Sequence, residues 1–210
     1  MEYATFKHGV YSNAYNMRIS VLGELGERFS ENYLLPIGSW IFANSDIIDM
    51  MVVARQQNML SFFARFEADR ESMVSYLKNH AELDHNRLLF LICSKDKILG
   101  HCGLRKISEK QFEIDNVMRL DEQSPGIVYA ALYTLIMWNR NLYPKCDYIL
   151  KVISSNESAL NLYSKLNFVE KERRQLVKKI ISDTRYELVE NESSSSGSDE
   201  EMIIMSLDYI

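Results

Sequence analysis

The sequence predicts an α+β fold built on a mostly antiparallel sheet. Three strand-like segments follow one another closely between residues 87 and 120, as the strands of an antiparallel meander do. Helical and strand patterns then alternate from residue 126 to residue 180. A chain of 210 residues favours one compact domain with an extension over two very small domains.

The composition is that of an ordinary folded protein. Hydrophobic residues make up 47% of the chain and charged residues 25%, so a core can be buried and global disorder is excluded. The formal net charge of −5 is matched by five acidic residues between Glu190 and Glu201, a stretch without Lys or Arg. The remainder is near neutral and lacks the basic surface that nucleic acid or an anionic membrane attracts. We expect neither partner.

The apolar segments are too short to cross a membrane as helices. The longest runs, residues 88–93 and 128–138, fall short of the roughly 18 residues that a span needs. The first residues, with Glu2 and Lys7, lack the apolar stretch of a secretory signal. The sequence therefore predicts a cytoplasmic location.

The cysteines and histidines indicate neither disulfides nor a metal site. Cys93, Cys102 and Cys146 are widely spaced among apolar residues, which predicts three buried free thiols. The histidines form no ligand set of the zinc type with cysteines or carboxylates. His101 is predicted to be a packed strand residue, with a role at the acceptor site as the alternative.

The first third of the chain is predicted to be irregular and then helical. Residues 1–45 are interpreted as an N-terminal extension containing one helix from about Met17 to Glu31. Ser45 is predicted to cap a helix, because apolar residues at helical spacing follow it. A second helix is predicted to begin near Asp69.

The meander consists of three predicted strands. Arg87–Ser94 is a continuous apolar run, a short turn follows, and Ile98–Ile107 returns beside it. Gln111–Leu120 alternates, so that Glu113 and Asp115 share one face of the strand while apolar residues occupy the other.

The remaining elements alternate between helix and strand. A helix is predicted from Gly126 to Tyr143, a strand at Tyr148–Ile153, and a helix capped by Ser155 or Asn156. Phe168–Ile180 and Met202–Leu207 are predicted strands. Between them, residues 191–201 form a serine-rich acidic stretch that is predicted to be a mobile loop within a domain spanning residues 46–210.

Two motifs resemble those of the GNAT acyltransferase superfamily. Residues 156–168, NESALNLYSKLNF, resemble the pattern N-x-x-A-x-x-L-Y-x-x-L-G-F and follow a predicted strand. Residues 123–128, QSPGIV, resemble the coenzyme A loop [QR]-x-x-G-x-[GA], which also opens a helix. By itself a strand-to-helix turn is a weak signal, although its free N–H groups suit an anion. The order and spacing of the elements agree with the superfamily from about residue 46 to residue 180.

The resemblance implies a fold and a coenzyme. The fold is a mostly antiparallel sheet with helices on both faces and a V-shaped splay between its fourth and fifth strands, here Gln111–Leu120 and Tyr148–Ile153. Acetyl-CoA is implied as the acyl donor, held in the splay. The resemblance places the following residues at the coenzyme: Asn116, Val117, Met118, Gln123, Ser124, Gly126, Ile127, Val128, Asn156 and Tyr163.

The resemblance also implies direct attack of an amine on the thioester. Tyr163 matches the tyrosine that protonates or hydrogen-bonds the departing thiolate, and a phenol can donate while it is neutral. Glu113 or Asp115 is expected to be the base, with Glu113 slightly favoured; both are also explained as solvent-facing charges. Asn156 is equally explained as a helix cap.

Three departures from the motifs leave a second function open. Val128 replaces a small residue, Pro125 removes one backbone N–H from the loop, and Asn167 stands where glycine is usual. The alternative to an N-acyltransferase is therefore a catalytically inactive module that binds a ligand or a partner.

The acceptor is the least determined part of the prediction. The expected partner is a small-molecule amine, and a homodimer is left open. Aromatic residues with arginine suit an amino sugar or a nucleotide-linked amino sugar, whereas a helix packing stripe explains the phenylalanines equally well. An amino-acid-like acceptor and a protein N-terminus also remain open. The candidate acceptor residues are Arg55, Asn58, Phe62, Phe63, Arg65 and Phe66.

Overall fold

The computed structural model describes residues 18–22, 25–95, 97–191 and 200–208. Within them ten strands form one sheet: β1 Ile19–Ser20, β2 Asn32–Pro36, β3 Ala64–Phe66, β4 Arg87–Ser94, β5 Lys97–Ser108, β6 Gln111–Arg119, β7 Asp147–Ile153, β8 Val169–Ser182, β9 Arg185–Glu190 and β10 Glu201–Leu207. The α-helices are α1 Ser45–Gln57, α2 Arg70–Leu77, α3 Ile127–Leu142 and α4 Glu157–Lys165.

The strand order across the sheet is β1-β2-β4-β5-β6-β7-β10-β8-β9-β3. Neighbouring strands in the described residues are antiparallel with one exception, the parallel pair β6 and β7. The crossover between these two parallel strands contains α3, as a parallel connection requires. The predicted meander is β4, β5 and β6, and it is confirmed.

Two cores lie on opposite faces of the sheet, and β4 contributes to both. Leu88, Phe90 and Ile92 belong to the core that contains the apolar face of α3. The alternate residues of β4 belong to the core beneath α1 and α2. Because side chains alternate across a strand, a strand buried on both faces has a continuous apolar sequence. The prediction of helices on both faces is confirmed.

The sheet parts between β6 and β7. Residues Gln111–Glu113 pair with residues Asp147–Ile149, and no pairing is present beyond Glu113 and Ile149 in these strands. β7 remains paired with β10 through Ile153, and β6 remains paired with β5 through Arg119. The two halves of the sheet therefore diverge and leave an open cleft, which confirms the predicted splay.

The three predicted helix beginnings are confirmed, but the residue predicted to cap the first of these helices is wrong. Asp69 accepts a hydrogen bond from Ser72 N–H and the Ser72 hydroxyl accepts one from Asp69 N–H, which is a capping box. Asn156 caps α4 through Ala159 N–H. Ser45 is the first residue of α1 and not its cap, because Asn44 holds the cap position without a side-chain hydrogen bond.

The prediction of a helix from Met17 to Glu31 is wrong, and Met17 itself lies outside the described residues. Ile19–Ser20 is a strand that pairs with β2, and Glu27–Phe29 forms a short 3₁₀ helix. Local helical spacing is overridden here by the backbone pairing that β2 offers.

The described part of the predicted N-terminal extension is not separate from the domain. β2 pairs with β4 in the central sheet. Leu34, Ile37 and Ile41 are completely buried. Burial of three apolar side chains makes these residues part of the core, so the boundary at residue 45 does not divide the fold. Residues 1–17 lie outside the described residues.

The far end of the sheet contains two strands that the sequence pattern does not predict. β3 has only three residues and pairs with β9, which in turn pairs with β8. Arg65 of β3 is 5% exposed and forms an ion pair of 2.6 Å with Glu200. Glu201 begins β10 and pairs with β8, and Glu200 just before it accepts a hydrogen bond from Leu176 N–H. Both residues are folded against the sheet, which corrects the predicted loop 191–201; residues 192–199 lie outside the described residues.

The longest described helix is α3, with 16 residues. No helix in the described part of the chain is both long enough and apolar enough to span a membrane.

Replacing residues 192–199 by a Gly-Ser linker is expected to leave the melting temperature nearly unchanged, because this polar stretch has too little apolar surface to stabilise a fold.

Glu200→Ala removes the carboxylate from the buried Arg65 guanidinium and is expected to lower the free energy of unfolding by about 3 kcal/mol. Urea unfolding measures both effects. Equal stabilities of the two variants would contradict the assignment of Glu200 to the folded sheet.

Candidate active site

A large cleft lies where β6 and β7 diverge. Its volume is about 1220 Å³, which exceeds the roughly 300–1,000 Å³ of most small-molecule sites and leaves room for two ligands. The strand segments Glu113–Leu120 and Lys151–Val152 form opposite walls. Residues from all four α-helices and from the connecting segments also line it. The cleft thus receives lining residues from elements on both faces of the sheet.

The cleft brings together most of the predicted site residues. Those that line it are Arg55, Asn58, Phe62, Phe63, Glu113, Asp115, Asn116, Val117, Met118, Gly126, Val128, Asn156 and Tyr163. Those that do not line it are Arg65, Phe66, Gln123, Ser124 and Ile127. Residues far apart in sequence therefore meet at this splay, although the lining does not assign their roles.

Asp115 is a largely buried carboxylate in the middle of β6. Its Oδ2 atom lies 3.0 Å from Arg87 Nη2, whereas its Oδ1 atom is buried without a hydrogen-bond partner among the described residues. Burial raises the pKa of Asp115 to about 6, against the opposing effect of the Arg87 charge. A carboxylate with this pKa is ionised at pH 7 and can accept a proton.

Glycine at position 103 makes room for this carboxylate. Gly103 of β5 pairs with Asp115, and a Cβ atom at Gly103 would clash with Asp115 Oδ1. Glu113, on the same side of β6, lies 3.9 Å from Arg105 at its closest, and its side chain is 13% exposed. The two candidate bases thus differ in their surroundings, since only Asp115 has a buried and close arginine partner.

A bulge at Asn116 shapes the wall of the cleft. Asn116 has a left-handed backbone with φ of 51°, which asparagine adopts more readily than most residues. The register between β5 and β6 shifts at this point. His101 Nδ1 donates to the Asn116 carbonyl oxygen at 2.7 Å, and the Tyr76 hydroxyl donates to Asn116 Oδ1. These side-chain contacts hold the bulge in place.

His101 is the packed strand residue that the sequence predicts. Its side chain is 7% exposed, and burial lowers its pKa to about 4. A neutral imidazole at pH 7 has one N–H, which the Asn116 carbonyl oxygen accepts. His101 does not line the cleft.

Tyr163 of α4 lies on the opposite wall and is 7% exposed. Burial raises the pKa of Tyr163 above its usual range, and the negative charge of Asp115 adds to the increase. The phenol is therefore neutral at pH 7 and able to donate a proton. Its ring packs edge-on against Phe168, with centroids 6.2 Å apart.

Of the five residues at and after the turn before α3 that the resemblance places at the coenzyme, two line the cleft. Gly126 has φ of 81° and lines the cleft with Val128. The N–H groups of Gln123 and Ile127 already donate at 3.3 Å to Asp121 Oδ1 and the Ser124 carbonyl oxygen. Ile127 is also buried in the core, which explains its absence from the cleft wall.

An arginine from the N-terminal segment lies over this turn. A Cβ atom at Gly126 would be 2.9 Å from Arg28 Nη2, so the guanidinium is in close contact with the turn. Arg28 lines the cleft and packs on the Phe29 ring at 4.4 Å from its centroid. No sequence motif indicated this residue, because the segment before β2 has no match to the two motifs at residues 123–128 and 156–168.

The end of the cleft beneath α1 and α2 is aromatic and positively charged. Arg55 lies 3.6 Å from the centroid of the Phe62 ring and 5.4 Å from that of Phe66. Phe63 and Asn58 line the same end. Tyr76 and His80 of the α2 region stand beside them, with ring centroids 4.5 Å apart.

Arg65, which was predicted to contact the acceptor, does not line the cleft and instead makes structural contacts at the end of the sheet. It donates to Glu200 Oε1 at 2.6 Å and to the Leu60 carbonyl oxygen at 3.0 Å. These contacts direct the guanidinium toward Glu200, the residue just before β10, and away from the cleft. Sequence spacing cannot distinguish Arg65 from Arg55, because the distant Glu200 decides the difference.

The three cysteines are buried and free. Burial raises the pKa of Cys93 to about 11 and that of Cys102 beyond its usual range, so both are protonated thiols at pH 7. The prediction of buried free thiols is confirmed. In the described ranges, no group of three His, Cys, Asp or Glu residues is placed to hold a metal ion.

A mixed sheet whose parallel pair of strands separates to form a cleft is the architecture expected of GNAT acyltransferases. The model of the Acetyltransferase (GNAT) family matches residues 54–168, more than half of the chain. The chain belongs to the GNAT family and is an acetyltransferase. This confirms the resemblance that the motifs at residues 123–128 and 156–168 indicated. The sequence has no match among the curated proteins.

Solved structures share the fold at low sequence identity. A probable GNAT acetyltransferase from Chromobacterium violaceum ATCC 12472 has a TM-score of 0.65 and 13% identity, over 91% of each chain. Spermidine N-acetyltransferase from Vibrio cholerae, in complex with CoA and spermine, has a TM-score of 0.60 and 14% identity, over 85% of this chain and 95% of that one.

A third neighbour modifies a protein. The Salmonella typhimurium acetyltransferase that modifies the N-terminal serine of 50S ribosomal subunit protein L7/L12 has a TM-score of 0.63 and 11% identity, over 85% of this chain and 95% of that one. The names of these neighbours cover a polyamine and a protein N-terminus. At such identities the likeness shows the fold alone, and it leaves the acceptor of this chain to its own residues.

The raised pKa of Asp115 predicts a pH-dependent contribution to stability. Folding favours the protonated carboxyl, so its contribution is fully present below the unfolded pKa and is lost as pH rises through about 6. The stability of Asp115→Asn relative to wild type is expected to increase between pH 5 and pH 8. Urea unfolding across this range measures the difference.

Asp121→Asn is the matched control. Its hydrogen bond with Ser124 lowers the pKa of Asp121, so this carboxyl is ionised throughout the range and the difference from wild type should be constant. A constant difference for Asp115→Asn as well would show that Asp115 titrates normally.

Proposed function

We propose that this protein is an acetyl-CoA-dependent N-acyltransferase that transfers an acetyl group to the primary amine of a small molecule. The observation that carries the proposal is the cleft at the parting of β6 and β7, with Tyr163 on one wall and Glu113 and Asp115 on the other. An acid and a base on opposite walls are the two groups that acyl transfer from a thioester to an amine requires.

The residues of the cleft fit the donor. The unpaired edge of β6 beyond Glu113 offers backbone groups near Asn116, Val117 and Met118 to the amides of a pantetheine arm. The turn at Gly126 and Val128 would hold the pyrophosphate, with the Arg28 guanidinium beside it. When bound, acetyl-CoA would supply the activated acetyl group. Asn156 would stand beside the pantetheine while it caps α4.

The chemistry assigned to the side chains is a balanced proton transfer. The reaction forms a C–N bond between the acetyl carbon and the amine and breaks the C–S bond of the thioester. The carboxylate of Asp115 or Glu113, directly or through water, accepts the proton that the amine loses. The hydroxyl of Tyr163 gives its proton to the departing thiolate, and solvent restores it.

Between the two carboxylates, the surroundings favour Asp115. Its pKa of about 6 is close to neutral pH, where a base is most effective, and its Oδ1 atom is buried without a hydrogen-bond partner in the described structure. Glu113 remains the alternative because it lines the same wall.

An amino sugar, free or linked to a nucleotide, is the proposed acceptor class, supported by the aromatic rings around Arg55.

Gly126→Asp is expected to weaken acetyl-CoA binding strongly, because a side chain and a negative charge would occupy the turn proposed for the pyrophosphate. Isothermal titration of the coenzyme measures the change. Gly126→Ala is the control, since it introduces the same left-handed strain and the contact with Arg28 without the charge. Wild-type affinity in Gly126→Asp would rule out this turn as the coenzyme loop.

Tyr163→Phe is expected to lower kcat by about 100-fold or more with little change in the acetyl-CoA dissociation constant, because only the proton donor is removed. Steady-state kinetics with an amine acceptor, together with coenzyme titration, separates the two quantities. Asp115→Asn and Glu113→Gln are compared in the same assay. The variant that lacks the base should recover rate at high pH, where the free amine needs no base. Full kcat in Tyr163→Phe at every pH would transfer the acid role to another donor or to water.

Coenzyme titration also tests the alternative of an inactive binding module. Val128 is 8% exposed and occupies the turn where the family motif has a small residue, which is the observation that favours this alternative. Micromolar binding of acetyl-CoA with slow hydrolysis of the thioester would support the enzyme. Absence of binding at high micromolar coenzyme would support the module.

A further inference from the structure

Arg55 is a desolvated cation at the acceptor end of the cleft. It extends from α1 and donates from Nη2 to the Ala64 carbonyl oxygen at 2.7 Å. The guanidinium lies against the Phe62 ring, 3.6 Å from its centroid, and nearer to Phe62 than to Phe66. The stacking and the single hydrogen bond fix the orientation of the group without using most of its N–H donors.

Arg55 differs from the other buried arginines in this part of the molecule. Arg65 has Glu200 at 2.6 Å, and Arg87 has Asp115 at 3.0 Å. For Arg55, no carboxylate lies within ion-pair distance among the residues that the structure describes. Its neighbour Arg185 adds further positive charge, although that residue is paired with Glu187 at 2.9 Å.

The charge of Arg55 is nevertheless retained. Removal from water lowers the pKa of Arg55 to about 10, and the positive charge of Arg185 acts in the same direction. At pH 7 the guanidinium is therefore protonated. A partly buried charge without a counter-ion is unfavourable, and it becomes favourable when an anion supplies hydrogen-bond acceptors and opposite charge.

We propose that the acceptor is an anionic amine whose carboxylate or phosphate group binds Arg55 while its amine faces the carboxylates of β6. This inference rests on the proposed acyltransferase function and specifies its acceptor. Both ends of such a molecule find an opposite charge, because Arg55 and the wall with Glu113 and Asp115 line one continuous cleft. Asn58 and Ser61 line the cleft near Arg55 and offer further hydrogen-bond donors.

Tyr76 connects the two charged ends. Its hydroxyl donates to Asn116 beside Asp115, and its pKa is influenced by the charges of both Asp115 and Arg55. A purely cationic polyamine would place positive charge against Arg55, which is unfavourable in this desolvated site. The cleft thus selects for an acceptor with one positive and one negative end.

Matched acceptors that differ in one charge test the proposal. The pairs are glucosamine 6-phosphate with glucosamine, for a phosphate, and L-serine with L-serinamide, for a carboxylate; spermidine represents the polyamines. In wild type, kcat/KM is expected to be at least 10-fold higher for the anionic member of one pair. Arg55→Gln should lower that value by about 10- to 100-fold and so remove the preference over the neutral member, since a hydrogen bond to a charged group is removed. The pair that responds identifies the anion.

Two variants control for structural effects. Arg55→Lys keeps the charge and should retain part of the preference. Arg185 packs on the Phe66 ring near Arg55 but does not line the cleft. Arg185→Gln should therefore leave the preference for the anionic acceptor intact. Equal values of kcat/KM within both pairs, or a preference that Arg55→Gln does not alter, would overturn the proposal.

A binding measurement keeps the test independent of turnover. The Nε–H resonance of Arg55, assigned by its loss in Arg55→Lys, is followed by NMR while each compound and inorganic phosphate are added to protein saturated with CoA. Saturable shifts with the anionic compounds alone support the proposal, and equal shifts with neutral compounds contradict it. If CoA itself fails to bind, the proposed function fails, whereas titration of the CoA-free protein still decides whether Arg55 binds anions.

Discussion

The loss of backbone pairing between β6 and β7 is the constraint on which the site depends. The two strands begin as a parallel pair and separate after three residue pairs, yet each remains paired with its other neighbour. An open strand edge in the interior of a sheet leaves N–H and C=O groups that need partners. The cleft therefore stays open in the folded protein, because each of the two half-sheets beside it is stabilised by antiparallel pairing and by its own core.

The bulge at Asn116 adds local shape to that opening. A left-handed residue in a strand is unfavourable unless its neighbours hold it, and here Tyr76 and His101 contact its side chain and its carbonyl oxygen. The neutral state of His101 follows from its burial, and it gives the imidazole a single donor for this contact. The wall of the cleft is thus positioned by α2 and β5, through side chains that lie 40 and 15 residues before Asn116 in the chain.

The positions of the charged groups in the cleft depend on the room that neighbouring residues leave for them as well as on ion pairs. Gly103 leaves room for the Asp115 carboxylate, and Arg87 partly compensates the cost of burying it. The remaining imbalance raises the pKa of Asp115 to about 6. At the other end Arg55 keeps its charge without a carboxylate partner in the described chain. The proposed base is the carboxylate whose charge Arg87 only partly balances, and the proposed acceptor supplies the negative charge that Arg55 lacks.

The sequence by itself determined the elements whose causes are local. The apolar runs of β4 and β5, the capping residues Asp69 and Asn156, and the motif at residues 156–168 all act over short distances, so the fold family and the place of Tyr163 were predictable. Tertiary structure decided the rest. β1, β2, β3 and β9 are short strands that exist because a distant partner pairs with them. Arg65 is structural and Arg55 lines the cleft because only Arg65 meets Glu200, and a contact between residues 135 positions apart has no local signature.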